Sequence, residues 1–116
     1  MPQQLHTRVL TIANAASLSD AVDLSGLTIV GLIMPGTWTA APITFQASFD
    51  NATYNDAYNS EGAEYLINVL ASRHVVLTSL NALFSTSRYL KLRSGTAAVP
   101  VAQGGSRSLT LLLEPS

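Results

Sequence analysis

Most of the secondary-structure signal in this chain is an alternation of apolar and polar residues, in short runs separated by turn signals. The clearest run is ITFQASF, residues 43–49. Successive side chains of a strand point to opposite faces, so this alternation predicts a strand with one buried face and one solvent face. The buried face would hold Ile43, Phe45, Ala47 and Phe49, and the solvent face Thr44, Gln46 and Ser48.

Six further runs carry a strand signal. Residues 27–33 are apolar on both faces and rich in β-branched residues, which predicts a central strand buried on both sides. Residues 89–94 and 108–114 alternate, with leucines on their inward faces. These leucines are Leu90, Leu92, Leu109, Leu111 and Leu113. The remaining runs are residues 8–13, 64–69 and 74–79.

Short strands separated by Pro, Gly, Asn and Asp turns are typical of sandwiches and small barrels. We therefore predict an all-β fold, a compact antiparallel β-sandwich of jelly-roll type, with at most one short helical turn at residues 79–84. A chain of 116 residues is long enough for one domain. We assign residues 1–116 to that domain and residues 1–8 to an N-terminal arm.

Charged residues are unusually scarce. They make up 11% of the chain, and its net charge is −1, whereas ordinary domains carry about 25% charged residues. Electrostatic repulsion between copies of the protein is therefore weak and does little to keep them apart. We interpret this as a surface that partners cover; the alternative is an ordinary neutral β domain.

Composition also excludes several classes. The chain has no cysteine, so disulfides and thiolate metal sites are excluded. No apolar run reaches the roughly 18 residues of a membrane span, and the N-terminal residues lack a signal-peptide core, so we expect no membrane partner. An isoelectric point of about 6.0 without a dense basic cluster disfavours nucleic acid.

Catalytic patterns are missing from the sequence. His6 and His74 have no second ligand at metal-binding spacing, and nucleophile elbows and phosphate-binding glycine loops do not occur. We expect no enzyme activity, no cofactor and no metal site. One alternative stays open, because Asp50, Asn51, Asn55 and Asp56 carry oxygens that suit Ca²⁺.

Exposed aromatic and basic residues are the candidate interface. Tyr89, Lys91 and Arg93 alternate with the inward leucines and predict an outward strip. Trp38 follows the central strand, where it would either cap the open end of the core or stack on a sugar. Tyr54 and Tyr58 would share one strand face, with at least one of them in the core.

Charges are unevenly distributed along the chain. Six of the seven acidic residues precede residue 65, and five of the six basic residues follow residue 72. If this asymmetry carried over into space, acidic and basic patches would favour head-to-tail contacts between copies.

Residues 23–58, 63–69 and 87–113 together resemble a group of small phage and prophage proteins. In this group an apolar strand ends at Met-Pro, a Trp-Thr-Ala-Ala turn follows, and a Phe-Gln-x-Ser-x-Asp strand enters a hairpin. The late strand motif is matched by Arg88, Tyr89, Lys91, Arg93, Ser94 and Gly95. The strand pattern is similar to that of jelly-roll or galactose-binding-like sandwiches of virions, and it carries no catalytic or ligand motif.

The resemblance implies a virion structural protein, a capsid decoration (cement) protein of a tailed bacteriophage. Its partners would be the major capsid protein and further copies of itself in a homotrimer. It would be made in the host cytoplasm and located on the capsid surface. We expect contacts from residues 2–8, 34–41 and 95–105. The alternatives are a carbohydrate-binding or receptor-binding module of a fibre, and a tail, neck or baseplate component.

Overall fold

A computed structural model describes residues 5–77 and 80–115, which contain nine strands and one short helix. The strands are β1 His6–Ile12, β2 Leu18–Asp23, β3 Leu27–Ile33, β4 Ile43–Ser48, β5 Asn55–Asp56, β6 Leu66–Ile67, β7 His74–Val76, β8 Tyr89–Ser94 and β9 Arg107–Pro115. The helix α1 spans Asn81–Thr86. The all-β prediction is confirmed, with one helix at the predicted place; position 79 of that prediction lies outside the described residues.

All strand pairs are antiparallel, and the sheet follows the order β5-β4-β8-β2-β1-β9-β3-β7, with β6 also on β4. The sheet curls into two halves. The first half holds β1, β9, β3 and β7, and the second holds β2, β8, β4, β5 and β6. Their inner faces meet in a sandwich-like core.

Leucines and isoleucines from both halves build this core. The inward leucines predicted for residues 90, 92, 109, 111 and 113 are all buried. Phe45 of β4 meets Phe84 of α1 edge to face, with ring centroids 6.0 Å apart. Each fully buried side chain of this size contributes about 2 kcal/mol through removal of apolar area from water. The core is thus the part of the fold that the alternation pattern predicted well.

The prediction for residues 43–49 was partly wrong. The side chain of Phe49 is 86% exposed, because β4 ends at Ser48 and the chain turns there. The Ser48 hydroxyl accepts hydrogen bonds from the backbone N–H groups of Asp50 and Asn51 and so fixes the turn. Thr44 and Ser48, expected on a solvent face, are both buried.

The strand predicted as central lies next to an edge. β3 pairs with β9 on one side and with the three-residue edge strand β7 on the other. Ile29 and Leu32 are buried as expected, whereas Ile33 is exposed. The strand is therefore internal to the sheet, but its second face is not covered.

The N-terminal arm was also predicted too long. His6, Thr7 and Arg8 belong to β1 and pair with Leu113, Leu112 and Leu111 of β9. Positions 1–4 of the predicted arm, and positions 78 and 79 of the strand predicted at 74–79, lie outside the described residues. No helix within 5–77 and 80–115 has the length and apolarity to cross a membrane.

Gly95 directly follows β8, at a place where only glycine fits. Its φ is +92°, and a Cβ there would lie 2.5 Å from the Val99 carbonyl oxygen and 2.7 Å from the Val101 nitrogen. Both neighbours are backbone atoms that cannot move aside. Gly62 has a similar φ of +83° with nothing within 4 Å of the same position.

We predict that Gly95→Ala lowers the free energy of unfolding by roughly 3 kcal/mol or more, because a backbone clash adds to the cost of the left-handed conformation. Gly62→Ala is the matched control and should cost only about 1 kcal/mol. Urea unfolding measures both, and equal losses would contradict the role of the clash.

Candidate functional site

The outer face of the first half of the sheet is not covered by any other described element; we call it the open face. Cross-strand pairing places Val9, Thr110, Ile33 and His74 in one row, and Thr7, Leu112, Gly31 and Val76 in the next. Paired residues share a face, opposite to the buried leucines. Val76 is 69% exposed and Val9 is 56% exposed.

These two rows contain no Asp, Glu, Lys or Arg. Leu112 leans over Gly31, since a Cβ on Gly31 would lie 3.2 Å from its Cδ1. These two rows therefore form a patch of aliphatic and threonine side chains with one imidazole, and the next row of the open face holds Thr28 and Glu114. Interface cores are depleted of charge in the same way.

On the second half of the sheet, Arg93 was expected to lie on an exposed strip, and this was wrong. Arg93 is only 5% exposed. Its guanidinium nitrogens lie 2.6 Å from Asp56 Oδ1 and 2.7 Å from Glu64 Oε2, and its Nε donates to Thr44 Oγ1 at 3.0 Å. We call Arg93, Asp56, Glu64 and Thr44 the Arg93 cluster.

The Arg93 cluster holds two loops against the sheet, the one that contains Glu64 and the one that contains Ala97. Glu64 also accepts a hydrogen bond from the Ala97 N–H at 3.0 Å, and Thr44 donates to the Gly95 carbonyl at 2.7 Å. The hydrogen bond and charge of Arg93 lower the pKa of Asp56 below its ordinary value. A buried arginine is tolerated because carboxylates and a hydroxyl satisfy its donors.

Tyr89 and Lys91, the other two residues of the predicted strip, are half-buried. The Lys91 ammonium lies 4.3 Å from the centre of the Tyr54 ring, and the Arg88 guanidinium lies 5.4 Å from that of Tyr89. Neither Tyr54 nor Tyr58 is in the core, contrary to expectation. Tyr54 precedes and Tyr58 follows the two-residue strand β5, so the two do not share one regular strand and alternation does not apply.

Trp38 packs against the core, and its Nε1 donates to the Ala41 carbonyl at 3.1 Å. This position favours the capping interpretation over sugar stacking. The loop that carries Trp38 is fastened to the Gly-rich loop by Gln103, which sequence reasoning missed. The Gln103 amide bonds both the N–H and the carbonyl of Thr39, at 2.8 and 3.0 Å, and also Ser94 Oγ at 2.7 Å.

An open groove of about 790 Å³ lies between the 47–61 segment and α1. Its lining combines two exposed aromatic residues, Phe49 and Tyr58, with the carboxylates of Asp50, Asp56 and Glu61. The groove is outlined by two segments, residues 47–65 and 82–87, that are 17 positions apart, so no local motif marks it in the sequence.

The oxygens considered for Ca²⁺ serve separate hydrogen bonds. Asp50 Oδ1 accepts from Ser48 Oγ and from the N–H groups of Ala52 and Thr53, whereas Asp56 bonds Arg93. The backbone N–H of Thr53 is the first cause that lowers the pKa of Asp50. Within the described ranges, no group of three or more His, Cys, Asp or Glu residues could hold a metal ion.

The early acidic and late basic residues meet in space. Arg93 binds Asp56 and Glu64, and Arg88 lies 3.8 Å from Asp23. These pairs neutralise one another, so the asymmetry along the sequence does not produce separate patches from these residues.

No family model, no curated protein and no solved structure matches this chain. Functional inference therefore depends on the open face and the groove.

We predict that Arg93→Met lowers the free energy of unfolding by about 3 kcal/mol, the low end for a broken buried ion pair, because Asp56 is partly exposed. Arg88→Met is the control and should be close to neutral, since the Arg88–Asp23 pair is solvent-screened. Urea unfolding at neutral pH compares them, and similar losses would count against the Arg93 cluster.

The lowered pKa of Asp56 predicts that this residue's contribution to the stability of the fold is lost at acidic pH. A carboxyl whose folded pKa is depressed stabilises the fold above its ordinary pKa of about 4, and this stabilisation is lost as pH falls through the folded value. The stability gap between wild type and Asp56→Asn should therefore be constant above about pH 5 and close at lower pH. In an Arg93→Met background, the gap should lose most of this pH dependence, since only the Gln46 hydrogen bond still lowers the pKa of Asp56.

Proposed function

We propose that the protein is a virion structural protein, a capsid decoration (cement) protein of a tailed bacteriophage head. In this proposal it binds the lattice of the major capsid protein on the capsid surface after synthesis in the host cytoplasm. The observation that carries the proposal is the open face, which has two adjacent rows without a charged residue in a chain with 11% charged residues. Contiguous exposed apolar surface marks an interaction site.

The size of the open face favours repeated, weak attachment. Four strands spaced about 4.8 Å apart and some five residues long cover roughly 300 Å². A stable interface buries about 800 Å² on each partner, so one open face alone is too small to hold a copy in place. Repeated attachment to a lattice, reinforced by trimer formation, raises the effective concentration and gives tight binding from small patches.

The proposed partner must also present an uncharged surface. A charged group placed opposite Val9, Ile33 or Val76 would lose its hydration without gaining an ion pair. The matching surface on the capsid subunit is therefore expected to be aliphatic or hydroxyl-rich. A tail, neck or baseplate subunit with such a surface is the alternative partner.

We predict that the purified protein co-sediments with heads lacking it, and saturates at a fixed ratio to the major capsid protein. Val76→Glu and Val9→Glu should each raise the Kd at least tenfold, because a carboxylate would be buried in the contact. Leu66→Glu, an exposed position on β6 of the other half, is the matched control and should bind like wild type.

Bare heads in the pellet at saturating protein would overturn the capsid proposal. Co-sedimentation with purified tails would then identify the alternative. Binding that Val76→Glu and Val9→Glu leave unchanged would show that another surface makes the contact, and sedimentation velocity of the free protein tests the trimer.

A further inference from the structure

Beyond attachment to a lattice, the groove has the composition of a ligand site. Its volume of about 790 Å³ falls within the range of roughly 300–1,000 Å³ for small-molecule sites. Phe49 and Tyr58 line it with side chains that are 86% and 51% exposed. A phenylalanine this exposed gains little free energy from burial when the chain folds, so its ring is available to contact a bound molecule.

Polar groups of the groove are held in place while retaining hydrogen-bonding capacity. Within the described residues, every hydrogen bond accepted by the Asp50 carboxylate ends on Oδ1, which leaves Oδ2 for a ligand. Asn59 Oδ1 accepts from the N–H groups of Glu61 and Ala63, so its amide NH₂ group remains a donor. These local bonds fix both side chains before any ligand arrives, which reduces the entropy cost of binding.

The charged residues that line the groove limit the class of ligand it can bind. The described residues that line the groove include Asp50, Asp56 and Glu61, and none of them is Lys, Arg or His. Arg93 compensates Asp56 from the buried side, so Asp50 and Glu61 leave the groove acidic. An anionic ligand would be repelled, and a ligand rich in hydroxyl donors would find acceptors.

We propose that the groove binds a neutral oligosaccharide, with a sugar ring stacked on Phe49 or Tyr58 and its hydroxyl groups donating to Asp50 and Glu61. Aromatic faces accommodate the apolar side of a pyranose ring, while carboxylate and amide groups bind its rim. This moves the sugar hypothesis from Trp38, whose ring is used by the core, to a site formed by β4, the following turns and α1. The site does not depend on the capsid role, because it lies apart from the open face.

The test is a ¹H–¹⁵N NMR titration of the purified full chain, without capsids, with four neutral tetrasaccharides built from glucose (α- or β-linked), mannose and galactose. We expect saturable shifts at the backbone N–H groups of Asp50, Asn55 and Asn59 with at least one of them. Phe49→Ala should raise the Kd at least tenfold. Leu70→Ala, at an exposed aliphatic position between β6 and β7 that does not line the groove, should leave it unchanged. The substituted side chains are both exposed, so both variants should fold.

Sialyllactose and a lysine-rich peptide complete the experiment. Sialyllactose should bind far more weakly than the neutral sugars, because its carboxylate meets Asp50 and Glu61. Absence of saturable shifts with all four neutral sugars would overturn the proposal, as would a Kd that Phe49→Ala does not change. Binding of the peptide alone would overturn it in favour of a cationic protein segment.

Discussion

Arg93 is the residue on which the second half of the sheet depends. One buried guanidinium joins β8 to β4 through Thr44, to β5 through Asp56 and to the 58–64 turn through Glu64, which also anchors Ala97. Removing any carboxylate leaves a buried cation partly unpaired, so the cluster holds as a unit. Because Asp56 belongs to both the cluster and the groove, the same ion pair that fixes the fold also fixes one wall of the candidate ligand site.

The two halves of the sandwich therefore meet solvent differently. The outer side of β4 and β8 is occupied by the Arg93 cluster, and the outer side of β1, β9, β3 and β7 carries the uncharged rows of the open face. This division fits the proposed subunit, which attaches through one face and binds a small ligand elsewhere.

Alternation was enough to predict most of the longer strands and the inward leucines, because burial of one face is a local property that repeats every second residue. It gave no prediction for β2 or β5. It failed where long-range contacts decide. Arg93 occupies an outward position in β8 as the pattern requires, yet partners 29 and 37 residues away enclose it. Phe49 continues the apolar pattern of β4, but a turn fixed by Ser48 ends the strand first. Gln103 carried no signal, since its partners Thr39 and Ser94 lie in another loop and in β8.

Little strand pairing joins the two halves of the sheet. Between β1 and β2, one facing pair, Ile12 with Ser19, joins them in the described part of the chain, and the Ser19 hydroxyl accepts from the Leu92 N–H at 3.0 Å where β2 is irregular. Side-chain interdigitation, not a continuous hydrogen-bonded ladder, thus couples one half to the other. Cooperativity of the whole molecule is carried by the leucine core, and this seam is where sub-global opening would first admit solvent to amide protons.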